Sequence, residues 1–356
     1  MCESLKSSDT NDEESLEIPL ERRAEIRFHR IKQQASLEPG DCGSSPLVKP
    51  EWFNEQLFKG AQLLARQRFF SLFFGHLSGL CMVVHIPSIL TPLLSTNNSR
   101  TIADTFKRYL GTLVHVKGWY ECDVWNPNDQ AHKSVLQVRR MHGRVASNMN
   151  AAKVRGKDVL YLSQYDMFLT QFAFIGMLIL HPKECGFPAT GHESQLKCLI
   201  HFWRCIGYLL GIEDRFNIFH DDDDVEMIRS LCKVVMENEF RPAIVKHSSE
   251  ESKLMTQSIL ESIKAFIRPL SVRGFIKYLY KMNTMEPPVK MDGISKAGYH
   301  GIRLTMKHLI PPARMSHIFS KLLRRSIRKA QEKQDIIKQR LASREVVNGA
   351  NFTTDV

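Results

Sequence analysis

Apolar residues recur at intervals of three and four along most of the chain, the spacing that places them on one face of an α-helix. The clearest series follows Asp129, a residue type that caps helices, and consists of Ala131, Val135, Val138, His142 and Val145. Similar series predict helices over residues 17–35, 102–113, 163–181, 196–210, 224–237, 250–267 and 271–282, and a further helix is expected to begin at Pro50 and run through Arg68 or beyond. The run from Thr101 to Asp104 fits a capping box, and Ser163 is a second expected helix cap. The alternation of period two that marks β-strands is nearly absent. The pattern therefore predicts an all-α fold.

Residues 69–95 contain no formally charged side chain, which raises the question of a membrane span. Pro87 lies in the second half of this run, and a proline ends or kinks a helix. We therefore expect a buried hairpin of core helices. Gly75 and Gly79 form a G-x-x-x-G pair, which permits close approach of another helix or of a flat macrocycle.

The 356 residues are enough for a large core, and no linker divides their middle. We predict a charged N-terminal extension at 1–50, disordered over 1–16, then one helical domain at 51–300 and a basic helical tail at 301–356. Eight cysteines without a C-x-x-C pair are typical of reduced, intracellular thiols. The polar, acidic N-terminus is not typical of a secretory signal. We expect an intracellular protein, in the cytoplasm or on the cytoplasmic face of an internal membrane.

The net charge of +11 is concentrated near the C-terminus, where residues 321–344 carry nine Lys or Arg and two acidic residues. An apolar stripe runs through this segment and comprises Phe319, Leu323, Ile327, Ala330, Ile337 and Leu341. A basic amphipathic helix of this kind binds an anionic membrane surface or a partner's groove, or it packs its apolar side on its own domain. These interpretations stay open. Nucleic-acid binding is not expected, because the segment lacks interleaved aromatics and no known nucleic-acid module is present.

Two pairs of polar residues share helix faces: Arg108 with Thr112, and Arg139 with His142. The four side chains can converge on one cofactor-sized object. A buried neutral imidazole can ligate iron, and arginines can neutralise the carboxylates of an anionic cofactor, so the set fits the description of a haem site. The alternative is that His142 is a core histidine whose hydrogen bonds are satisfied.

Longer stretches of sequence resemble a known family. The run Arg108-Tyr109-Leu110-Gly111-Thr112, followed by Arg139-Arg140-Met141-His142, is similar to the latex-clearing rubber oxygenases and the fungal mycophenolate-pathway oxygenase. The similarity extends from about Trp52 to Asn217 and includes residues 163–176 and 203–212.

This resemblance implies a globin-like helical core wrapped by additional helices, holding haem b. It implies that His142 is the proximal iron ligand and that Arg108 and Thr112 lie beside the haem as catalytic residues. Arg139 is then a nearby group that balances propionate charge. The expected function is a haem-dependent oxygenase that uses dioxygen on a hydrophobic substrate, with isoprenoids as one candidate class. The apolar segments 69–95 and 167–181 are candidates for lining the substrate channel.

The sequence departs from the family pattern at two places. Latex-clearing enzymes have a lysine just before the threonine, where it can occupy the distal iron position, whereas this chain has Gly111. Those enzymes also have a distal glutamate upstream of the arginine, whereas residues 56–103 contain no Asp or Glu. The distal candidates are His76, His85 and Asp104. Their alternative roles are core packing for the histidines and helix capping for the aspartate.

These departures support a second hypothesis, a non-catalytic protein that holds haem or a lipid. A third hypothesis is a membrane-surface adaptor that binds through residues 321–344. Elsewhere, His220 and the four aspartates that follow it suggest a metal site. Four adjacent aspartates on an extended segment cannot all face one ion, so capping of the helix predicted at 224–237 is the favoured explanation.

Overall fold

The computed structural model describes residues 18–96, 99–151, 160–219 and 224–348. Within these residues the chain is helical, and a bridge between Pro39 and Ser163 is the one strand-like pairing. The predicted all-α fold is therefore confirmed. The helices are α1 (Leu20–Ala35), α2 (Glu55–Val83), α3 (Pro87–Ser95), α4 (Ile102–Glu121), α5 (Gln130–Ala151), α6 (Gln164–Leu180), α7 (Glu193–Leu209), α8 (Val225–Val235), α9 (Arg241–Val245), α10 (Glu250–Lys264), α11 (Val272–Met282), α12 (Gly293–Leu304), α13 (Ala313–Glu332) and α14 (Gln334–Asn348).

The core is built around α2, which packs against α6, α7 and α13. Its two glycines face α6. A Cβ atom on Gly79 would lie 1.7 Å from the carbonyl oxygen of Ala173, and one on Gly75 would lie 2.5 Å from the side chain of Leu178. The G-x-x-x-G pair therefore allows a second helix, α6, to approach α2 closely. Another helix was one of the two partners expected for this pair.

The uncharged segment is divided between two helices. α2 ends at Val83, and Pro87 begins α3, a position where its missing N–H costs nothing. The two helices meet at 92°, so the expected hairpin is a right-angled bend. No single helix in the described part of the chain is long and apolar enough to span a membrane, whereas α2 and α3 pass that test together across their bend.

Several helix ends lie where local sequence predicts them. Thr101 caps α4 by accepting a hydrogen bond from the backbone N–H of Asp104, and Ser163 caps α6 in the same way through Asp166. The first turn of α2 differs from expectation. A helix was expected to begin at Pro50, but Asn54 caps the helix and accepts from the N–H of Leu57 at 3.1 Å, so α2 begins later.

Both ends of the described chain pack on the helices between them. α1 buries Phe28 and Ile31 and packs on α8. In α13 the apolar stripe buries Leu323, Ile327 and Ala330, and this helix packs on α2. Of the interpretations left open for residues 321–344, the structure shows the one in which the apolar side covers the chain's own domain. The disorder expected over 1–16 concerns residues outside those described, and the three-part domain division stays a prediction.

Candidate functional site between α4 and α5

α4 and α5 form an antiparallel pair whose register is set near the connecting loop. Ser134 on α5 lies 2.7 Å from Nδ1 of His115 and accepts a hydrogen bond from the indole N–H of Trp119 at 3.0 Å. Two helical turns further from the loop, the same register brings Arg108 opposite His142. The positive charge of Arg108 contributes to lowering the pKa of His142, as expected for side chains that face each other.

His142 is a half-buried side chain whose Nδ1 atom is buried and has no hydrogen-bond partner among the described residues. Buried polar atoms are nearly always paired, and this nitrogen is one of nine buried side-chain atoms that lack a partner among the described residues. Burial, and secondarily Arg108, lower the pKa of His142 to about 4. The imidazole is therefore neutral near pH 7, the form that can ligate a metal ion. Nδ1 does not have the satisfied hydrogen bonds that the core-histidine alternative describes, and the role of His142 as a ligand stays a prediction.

Arg108 is held by the end of α3. Its guanidinium donates hydrogen bonds to the carbonyl oxygen of Leu93 at 3.0 Å, to Oγ1 of Thr96 at 3.2 Å and to Oγ of Ser99 at 3.0 Å. Thr112, one turn along α4, donates its hydroxyl to the carbonyl oxygen of Arg108 at 3.3 Å. These contacts orient a cation and a hydroxyl on the face of α4 that carries Arg108.

There is open space on both helices. Ideal Cβ atoms placed on Gly111 of α4 and Gly143 of α5 meet no heavy atom within 4 Å. Gly111 adjoins Thr112, and Gly143 adjoins His142. The open space at Gly143 belongs to the cleft that His142 lines.

A cleft of about 370 Å³ lies on the other flank of His142. Arg139 and His142 line it, whereas Arg108 and Thr112 do not. The remaining lining residues are Pro39, Gly40, Asp41, Gly143, Ala146, Ser147, Asn150, Tyr161, Leu162, Met167 and Leu210. Leu162 has a φ of 49°, a left-handed conformation that is rare for a bulky side chain. Of the two apolar segments expected to line a channel, only Met167 borders this cleft; both otherwise pack in the core.

Arg139 is paired with Asp41, a contact that the sequence did not indicate. Its guanidinium donates to both carboxylate oxygens of Asp41, with Nε 2.8 Å from Oδ2, and to the carbonyl oxygen of Leu209 at 3.4 Å. The hydrogen bonds from Arg139 hold the pKa of Asp41 below its usual value. Asp41 belongs to the loop between α1 and α2, and nothing in its local sequence distinguishes it from other loop carboxylates.

The three distal candidates have structural roles and do not line the cleft. His76 is buried, with Nδ1 2.5 Å from the carbonyl oxygen of Phe174 and Nε2 3.2 Å from the hydroxyl of Tyr120. His85 is buried among three hydroxyl groups, those of Ser248, Ser252 and Thr256. Asp104 takes part in the cap of α4 and lies 3.3 Å from the ammonium of Lys338. The alternative roles given to these residues agree with the structure.

No group of three or more His, Cys, Asp or Glu side chains suited to a metal ion is found among the described residues. His220 and Asp221 to Asp223 fall outside the described residues, while Asp224 caps α8 by accepting from the N–H of Met227 at 2.7 Å. A lone histidine such as His142 can still bind a metal that a cofactor already holds.

Comparison with known proteins identifies the family. Residues 65–318 match the family described as "ER-bound oxygenase mpaB/B'/Rubber oxygenase, catalytic domain". A solved structure, described as "Structure of Latex Clearing Protein LCP in the closed state", is similar with a TM-score of 0.58 and 15% sequence identity, over 86% of this chain and 87% of that chain. At this identity the similarity concerns the fold alone. Among curated protein sequences, none is significantly similar.

The structural similarity agrees with the expected helical core wrapped by additional helices, and the family match covers most of the sequence, including α4 and α5. The chain therefore belongs to the family of ER-bound oxygenases and rubber oxygenases, as represented by their catalytic domain.

Proposed function

We propose that this protein is a haem-b-dependent oxygenase that uses dioxygen to oxidise a hydrophobic substrate. Membership of an oxygenase family supports the reaction class. The observation that carries the cofactor proposal is His142, whose buried Nδ1 has no partner in the part of the chain that the structure describes and whose imidazole is neutral. Isoprenoid compounds are the first substrates to test.

The residues present fit a haem group. His142 offers a neutral imidazole as iron ligand, and Gly143, which lines the same cleft, leaves open space next to it. A bound haem supplies the redox-active iron at which dioxygen reacts. Arg108 supplies positive charge, and Thr112 a hydroxyl, on the side of His142 that faces α4.

The expected role of Arg139 was to balance the charge of a haem propionate, and its pairing with Asp41 favours a different role. Its charge is already matched by Asp41, so it contributes hydrogen bonds and a fixed position within the wall of the cleft rather than a free positive charge. The apolar side chains of Ala146, Leu162 and Met167 in the same wall suit a hydrophobic substrate.

An absorption spectrum of the purified protein tests the cofactor, combined with a pyridine haemochrome assay. We expect a Soret band with about one haem b per chain, lost in His142→Ala and restored by free imidazole, which replaces the missing ligand. The matched control is His132→Gln on the same helix, where the native ring lies 2.7 Å from the carbonyl oxygen of Val124. The control should retain haem. Full haem retention by His142→Ala would refute the assignment.

The distal side favours a second candidate function, that of a non-catalytic protein that holds haem or a lipid. His76, His85 and Asp104 all have structural partners, and Gly111 replaces the lysine of the latex-clearing enzymes. None of the three is placed to act as a base on a substrate in the cleft.

Oxygen uptake by the haem-loaded protein separates the two functions. Consumption that depends on an added isoprenoid or lipid supports the oxygenase, and its absence in the presence of bound haem supports the binding protein. Peripheral membrane contact through residues 321–344 remains part of the proposal for an intracellular, membrane-associated protein. Because the apolar stripe is buried, such contact would use the charged face of α13.

A further inference from the structure

A strongly basic cleft lies between α4 and α13, distinct from the cleft beside His142. Its volume is about 640 Å³. Its lining consists of five cationic side chains and one amide: Lys117, Lys321, Arg324, Arg325, Arg328 and Gln331. No acidic residue lines it in the described part of the chain.

The positive charge of this basic cleft is only partly compensated. Glu121 pairs with Lys117 at 2.5 Å and with Arg324 at 2.7 Å, and Glu332 lies 3.7 Å from Arg328. Lys321 and Arg325 are exposed and have no acidic partner among the described residues. Five cations therefore share two carboxylates, which leaves an excess of three positive charges.

The framework of the basic cleft is held in place by contacts with α2. The guanidinium of Arg324 donates to the carbonyl oxygens of Ala65 at 2.7 Å and Arg66 at 3.3 Å, and it lies 4.7 Å from the ring centre of Phe69. Buried apolar residues of the same helix fix α13 on the core. The cations are thus held near one another by the fold, although like charges repel, and an anionic ligand would relieve that repulsion.

We propose that this basic cleft binds a ligand carrying two or more phosphate groups. One phosphate monoester carries about 1.5 to 2 negative charges at neutral pH, so an excess of three charges matches two phosphates better than one. Arginine presents a planar fork of donors suited to phosphate oxygens, and the lysines add point charges. The proposal does not depend on haem or on oxygenase activity.

The surroundings of the basic cleft favour a lipid headgroup as the source of the phosphates. Ile318 and Leu322, on an outward face of α13, are 47% and 55% exposed. Leu322 and Arg325 lie three residues apart, so an apolar surface adjoins the cations on one helix. Exposed apolar residues beside basic ones are suited to the boundary of an anionic membrane.

The test compares two double variants that remove the same charge from α13. Lys321→Gln/Arg325→Gln removes the two unpaired cations of the basic cleft. Arg314→Gln/Lys329→Gln removes two exposed cations that do not line it. Binding is measured by calorimetry with soluble inositol trisphosphate and with pyrophosphate, and by sedimentation with phosphatidylcholine vesicles containing phosphatidylinositol bisphosphate.

We expect the wild type to bind, the cleft variant to bind at least about tenfold more weakly, and the control variant to stay within about twofold, because only the cleft variant loses cations that line the cleft. Vesicle binding stronger than pyrophosphate binding identifies a lipid source, and the reverse order identifies a soluble phosphate ligand. Absence of binding to every probe, or equal losses in the two variants, would overturn the proposal.

Discussion

Single residues at the candidate site differ in how their charge is handled. His142 is kept neutral by burial, whereas the positive charge of Arg139 is paired with Asp41, whose two carboxylate oxygens accept hydrogen bonds from the guanidinium. The arginine side chain is 9% exposed and that of Asp41 is 40% exposed. The pair also ties the loop between α1 and α2 to α5, next to His142. Its removal should therefore affect both stability and the shape of the cleft.

Replacing Asp41 by Ala should lower the free energy of unfolding by about 2 kcal/mol, because it leaves a buried guanidinium without its main partner. Adding Arg139→Met should recover part of this loss, since the unpaired charge is then gone. Urea denaturation of the two single variants and the double variant measures the coupling. Glu213→Ala is the control: it removes the nearer of the two acidic partners of the half-exposed Arg215, which also lies 3.7 Å from Glu38, and should cost under about 0.5 kcal/mol. Additive losses at Asp41 and Arg139 would contradict the argument.

Buried histidines give the protein a predicted pH dependence, of which His85 is the clearest case. Burial, and secondarily Lys253, lower the pKa of His85 from 6.5 to about 4. Between these values the unfolded chain binds the proton more readily than the folded one. The stability is therefore fully present above pH 6.5 and is lost as the pH falls towards 4.

His85→Gln removes this titration and can keep hydrogen bonds to the surrounding hydroxyl groups. We expect the variant to be less stable than wild type at pH 7 but to lose about 2 kcal/mol less between pH 7 and pH 5. Urea denaturation at both pH values is the measurement. Parallel losses in the two proteins would show that the protonation of His85 does not contribute.

At the scale of helices, the closest contact is the one between α2 and α6. Gly79 has no side chain because the carbonyl oxygen of Ala173 occupies the space that a Cβ would need. The same residue type on α4 has a different role, since Gly111 and Gly118 face open space. A helical glycine therefore allows close helix contact at Gly79, whereas at Gly111 and Gly118 it faces space that no other described residue occupies.

Gly79→Ala should cost about 3 kcal/mol, because α2 and α6 must move apart to admit the methyl group. Gly118→Ala is the matched control within a helix and should stabilise the protein by up to about 1 kcal/mol through helix propensity. The midpoints of urea unfolding compare the two. Equal effects would mean that the contact at Gly79 is not tight.

At the scale of the whole molecule, sequence predicted what depends on neighbours along the chain. The helix caps at Thr101 and Ser163 and the shared helix face of Arg139 and His142 are local features, and they are confirmed. The pairing of Arg139 with Asp41 joins residues 98 positions apart, and it depends on how the loop crosses α5. No local pattern encodes such a contact. The sequence likewise could not show whether the apolar stripe of α13 binds a membrane or packs on its own domain, because the answer depends on the surface that α2 offers to it.

The packing of α13 also predicts that the C-terminal basic helix unfolds together with the core. Ile327 is fully buried, whereas Leu322 on the same helix is 55% exposed. Ile327→Ala should cost about 3 kcal/mol through the cavity it creates, and Leu322→Ala should stay within about 0.5 kcal/mol. All four tryptophans, at positions 52, 119, 125 and 203, lie outside α13. Tryptophan fluorescence therefore reports on the rest of the fold, and its urea midpoint should fall in Ile327→Ala together with the helical circular dichroism signal. If the helical signal instead falls at lower urea while the fluorescence midpoint keeps its wild-type value, α13 is a separable tail. The basic cleft between α4 and α13 would then lack the rigid framework on which its phosphate binding rests.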